Sequence, residues 1–150
     1  MNDVCEEICD DLAAKLNAAQ EEDESSEEEN PFSLFFVARN VEDPNGELDK
    51  EPDQIRVLLW PHAETAVKIG RGGEAKETYS IAMLVLRKVS NTIRRRDIAG
   101  LDRTIRLWIR RRRIAGRVWS TEEGTKFDLE HMRDFKRVEC STIITFSGTA

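Results

Sequence analysis

The run KETYSIAMLVLRKV at residues 76–89 constrains the fold more than any other part of the chain. Tyr79, Ile81, Met83 and Val85 fall on one side of an extended strand, the alternation that buries one face of a sheet. Upstream, residues 64–69 form a weaker strand candidate, joined to this run across Gly70, Arg71, Gly72 and Gly73, so the two predict a β-hairpin. Residues 54–60 alternate Ile55, Val57 and Leu59 against Arg56, Leu58 and Trp60, and Pro61 is expected to halt that strand by removing a ladder donor. Residues 32–41, FSLFFVARNV, read as another strand that stops at the turn signal Asp43-Pro44-Asn45-Gly46. A closing strand at 136–146 places Val138, Cys140, Thr142, Ile144 and Phe146 on one side.

Two segments instead carry helical spacing. Val4, Ile8, Leu12 and Leu16 recur every four residues, with Cys5, Cys9 and Ala13 beside them. Between residues 97 and 116, Ile98, Leu101, Ile105, Trp108 and Ile109 repeat at three-four spacing, and Gly116 is placed to end this main helix in a left-handed conformation. A strand at 117–120, a turn at 122–124 and a short helix at 129–135 follow. The order predicts an α+β fold, an antiparallel (mixed) β-sheet with the N-terminal helix and the Arg-rich main helix packed on one face. At 150 residues one core suffices, divided into a helix at 1–19, an acidic linker at 20–31 and an α+β body at 32–150.

Charge is segregated along the chain. Residues 1–30 hold twelve acids against Lys15 alone, a net of −11, so the total of −6 leaves the other 120 residues at +5. The tract QEEDESSEEEN at 20–30 has no apolar residue and repels itself, as expected of a solvated linker. Residues 94–117 concentrate ten arginines, among them Arg103, Arg106, Arg110, Arg111, Arg112 and Arg113, against Asp97 and Asp102. Guanidinium groups at that density seek anions. They can pair bidentately with carboxylates of a neighbouring subunit or of this chain's own acidic head, including Glu27, Glu28 and Glu29. They can also meet nucleic-acid phosphates, although the acidic head would repel DNA, or form a solvated face. A protein interface built from these arginines and glutamates is the favoured expectation.

Other constellations point away from chemistry. His62 and His131 lie far apart, neither with a ligand partner at helical spacing, and Cys5 and Cys9 fit an apolar face better than a zinc site, so neither a metal nor any other cofactor is expected. The glycines at 70–73 precede a strand rather than a helix N-terminus and lack the lysine-hydroxyl pair of a phosphate loop. No nucleophile, base and orienting group come together, so the chain is read as non-enzymatic. An odd cysteine count, no basic and apolar leader and no long apolar run predict synthesis in a cytoplasm, without export or membrane insertion.

The C-terminal third carries a resemblance. Trp119, then Phe127, then Glu130-His131-Met132 with Phe135, then a strand ending in Ile143-Ile144-Thr145-Phe146, resembles the closing segment of the tailed-bacteriophage tail-completion proteins. The segment RRIAG at 112–116 is similar to the Arg-Arg-Leu-Ala-Gly that ends that family's main helix. The resemblance implies a tail-terminator-like fold and a structural virion protein of the tail and neck. Such a subunit forms a homo-oligomeric ring, typically a hexamer, that caps the tail tube and joins it to neck or connector proteins. A head-to-tail connector or adaptor subunit, and a DNA-contacting accessory protein, are the alternatives. The acidic linker and the heavy arginine content of the main helix depart from the family pattern.

Overall fold

The computed structural model describes residues 3–22, 35–39, 55–69, 74–88, 95–123, 126–127 and 137–148. In chain order these form α1 (Val4–Glu22), β1 (Phe35–Arg39), β2 (Ile55–Ile69), β3 (Glu74–Lys88), α2 (Arg95–Arg110), β4 (Arg113–Ile114), β5 (Arg117–Glu122), β6 (Lys126–Phe127) and β7 (Arg137–Ser147). The fold is α+β. The strands make one seven-stranded mixed sheet in the order β1-β2-β3-β7-β5-β4, with β6 also pairing β7. β1 runs parallel to β2 and every other pairing is antiparallel.

Alternation decides which side of the sheet is which. Val57 and Leu59 of β2, Tyr79, Ile81, Met83 and Val85 of β3, and Val138, Cys140, Ile144 and Phe146 of β7 all enter one buried cluster. That face receives both helices. α1 contributes Cys5, Ile8, Cys9, Leu12, Ala13 and Leu16, and α2 contributes Ile98, Leu101, Ile105 and Ile109. Cys5 and Cys9 are thus small core residues, as their place in the stripe requires. The opposite face holds a smaller cluster in which Leu58 and Leu86 are buried with Trp60 and Leu84 against them.

Three expectations are corrected. β2 does not stop at Pro61 but runs unbroken to Ile69. Pro61 lies beyond the last β1 pair, Arg39 with Leu59, and at the register shift between Pro61 and Ala63, an edge and a bulge, where a sheet tolerates a missing N–H. The main helix ends at Arg110 rather than at 116. Its three-four spacing runs out at Ile109, and the buried Ile114 is reached instead by a hairpin of β4 and β5. Gly116 is left-handed as expected, with φ 76°, but it forms that hairpin's turn together with Ala115 at φ 51°, both positive as a two-residue turn of this hand demands. Strand β6, which pairs Phe127 with Cys140, has too few residues to show a period in the sequence. The turn at 43–46, the glycine turn at 70–73, the short helix at 129–135 and most of the acidic linker lie outside the described residues.

Candidate functional site

The arginines of α2 and of the turn after it divide into two sets. Toward the sheet, Asp102 and Arg106 stand four apart on α2, the spacing at which side chains meet on a helix face. Asp102 is fully buried; its carboxylate accepts from Arg106 Nε at 2.7 Å and from Thr142 Oγ1 of β7 at 3.1 Å. Arg106 also donates to Glu122 of β5 at 2.8 Å. Arg110 pairs with the same carboxylate, and Trp119 Nε1 donates to it at 3.1 Å, while the Arg110 guanidinium lies 5.0 Å from the Trp119 ring centroid. Burial pushes the Glu122 pKa up, but the hydrogen bonds from Arg110, Arg106 and Trp119 outweigh burial and hold it below the usual carboxylate range. Arg106 and Arg110 therefore fasten α2 to its own sheet.

The second set faces water. Arg103, Arg111, Arg112 and Arg113 are exposed. Arg111, Arg112 and Arg113 line, with Lys15, Ala18 and Ala19 of α1 and Trp108 of α2, a pocket of about 480 Å³ between the ends of the two helices. Arg112 stacks over the Trp108 ring at 4.0 Å to the centroid and donates to the Trp108 carbonyl at 3.1 Å, which also accepts from the Arg111 amide at 3.4 Å at the helix end. Lys15 pairs with Asp11, and the same carboxylate accepts from the Ala115 amide at 2.6 Å, which pins the β4–β5 turn against α1. Among the described residues Arg103, Arg111 and Arg113 make no ion pair.

The structure thus brings Arg111, Arg112 and Arg113 together, leaves Arg103 apart on the helix surface and pairs the half-buried Arg106 and the exposed Arg110 with Glu122 of the sheet. Glu27, Glu28 and Glu29 lie outside the described residues, as does His131; His62 is exposed. Sequence reasoning missed Glu122, which it assigned to a turn, and the contribution of Lys15 and Asp11 from the far end of the chain. The i,i+4 pair of Asp102 and Arg106 is the one part of the inner network that spacing alone could have revealed. Compared with protein-family models and with curated proteins, the chain matches none. The site therefore has to be interpreted from its own chemistry. It offers a concave cluster of strong donors around a tryptophan ring, suited to carboxylate or phosphate groups.

Proposed function

We propose that the chain is a structural assembly subunit of a tailed bacteriophage, a tail terminator whose copies close into a ring, hexameric in this family, on the tail tube and beneath the neck. The observation that carries this proposal is the β2–β3 hairpin. Its ladder continues from Ala66 with Glu77 to Ile69 with Glu74, beyond the last β3–β7 pair, Thr78 with Ser147, and beyond the β1–β2 pairs, which end at Leu59. Among the described residues no third strand flanks this ribbon; a two-stranded ribbon is marginal in water, and its open edges invite pairing. A subunit that carries one gains by laying it on a neighbour. The residues similar to the tail-completion family support the same assignment, with Trp119 in β5, Phe127 in β6 and residues 143–146 in β7. Exposed Arg103, Arg111 and Arg113 supply charge that would set register between subunits more than affinity.

Light scattering of the purified protein at low and high salt, with negative-stain imaging, tests the proposal. Closed rings, or a monomer that forms them only on tail tubes, are expected. A salt-insensitive monomer that neither closes into rings nor binds tubes overturns it and favours the second reading, DNA contact through the exposed arginines. That reading requires duplex binding whose logarithm falls linearly with the logarithm of salt. Absent binding at low salt excludes it.

A further inference from the structure

The pocket between the ends of α1 and α2 lies close to the end of α1, and in the sequence the acidic tract comes next. We propose that the acidic tract at residues 23–29 of the same chain docks on Lys15, Arg111, Arg112 and Arg113, so that the free subunit shields its own cationic pocket. Four observations lead there.

First, the pocket presents four cations, and among the described residues the acid paired with one of them is Asp11, on Lys15. Arg111 and Arg113 have no ion pair among the described residues. Second, both helices reach the pocket by their C-terminal turns, where the macrodipole favours the cations gathered there, so the arginines rather than the helix ends must attract an anion. Arg112 already donates to the Trp108 carbonyl, which leaves Arg111 and Arg113 to meet an incoming carboxylate. Third, Asp23, Glu24, Glu27, Glu28 and Glu29 supply five negative charges within seven residues. Fourth, Ala19 lines the pocket and α1 ends at Glu22, three residues and about 4.5 Å of helical rise further on, and Asp23 is the next residue in the chain. A ligand held on so short a tether competes at an effective concentration in the millimolar range or above, so an untethered anion meets a pocket already filled.

Carboxylate is favoured over nucleic-acid phosphate for the same reason. A duplex would have to displace the tethered tract and approach past its remaining charge. The docking holds whether or not the subunits form rings, so its test is separate from theirs.

The test uses the full chain and a variant with D23N, E24Q, E27Q, E28Q and E29Q. The Trp108 indole resonance, assigned with W108F, reports the pocket. Neutralising the tract should shift it, and a synthetic peptide of residues 20–30 added to the neutralised protein should return it toward its original position. That peptide should bind the neutralised variant at least tenfold more tightly than the parent protein, and R111E with R113E should remove the binding. An unchanged Trp108 resonance, or equal peptide affinity for parent and variant, overturns the proposal. So does a Trp108 position in the parent protein that changes on tenfold dilution, which would assign the tract to a second copy. Duplex DNA that binds parent and variant equally through Arg111 and Arg113 overturns it as well.

Discussion

Glu122 accepts hydrogen bonds from Arg106, Arg110 and Trp119, and so ties α2 to β5 through a single carboxylate. Its pKa is held below the ordinary value of 4.5, which means folding favours the ionised form. The stability this provides is fully present above pH 4.5 and is lost as pH falls through the depressed folded value. E122Q should therefore cost about 2–3 kcal/mol at neutral pH, the scale of hydrogen bonds to a charged group, and the gap to the parent protein should narrow as pH falls below 4.5. Urea midpoints of the two proteins across pH 3 to 7 measure this, and a gap independent of pH would contradict it. Ala115 presents the opposite case, a residue whose backbone is strained. At φ 51° it occupies a conformation that costs an L-residue roughly 1–2 kcal/mol, while glycine's extra freedom in the unfolded chain takes back about 0.4–1 kcal/mol. A115G should stabilise the protein by about 0.5 kcal/mol, and A115V should destabilise it, because its amide must keep the same turn to reach Asp11. Denaturant unfolding of both variants checks the sign.

At the scale of elements, what could be foreseen followed from periodicity. The stripes of α1 and α2 and the alternation of β3 and β7 named nearly every residue of the main cluster, because burial on one face imposes a period that a single chain displays. Segments too short to show a period, such as β4 and β6, gave no signal, and the insertion of β7 between β3 and β5 is a long-range choice that no local pattern encodes. Pro61 misled because its penalty depends on a neighbouring strand, and β1 ends before reaching it. The candidate site was legible only in part for a similar reason. The density of arginines was visible, but Lys15 and Glu122, which sort them into an outer and an inner set, come from other elements. The hairpin beyond the sheet yields a prediction at this scale. Replacing residues 67–76 by Asn-Gly, with Glu77 kept as the acceptor of the Tyr79 hydroxyl, retains the pairings of Thr65 with Thr78 and Ala66 with Glu77 and removes most of the two-stranded ribbon. Circular dichroism and the urea midpoint should stay close to those of the parent, while the ring-sized mass in light scattering disappears. Loss of folding instead would place the ribbon among the elements that stabilise the monomer.

For the whole molecule, the sheet has its apolar side chains buried on both faces, and the exposed large hydrophobic residues among those described are Leu107 and Val118, on separate elements. Two isolated side chains do not make an apolar patch of the kind that drives association. In the proposed ring, the described residues offer strand edges and arginines for contacts between copies, and there the acidic tract sets a sign. If it shields the pocket of its own chain, each subunit must give up that contact before the arginines can meet a neighbour, and neutralising the tract should favour assembly. If it bridges to the next subunit, neutralisation removes a contact and assembly weakens. Sedimentation velocity of the parent protein and the neutralised variant across a concentration series separates the two. Shielding predicts that the concentration giving half-assembly drops by about tenfold, the change that 1.4 kcal/mol produces in an equilibrium constant. Near 1 M salt, where the screening length is about 3 Å, the two proteins should converge, because the tract then neither shields nor bridges.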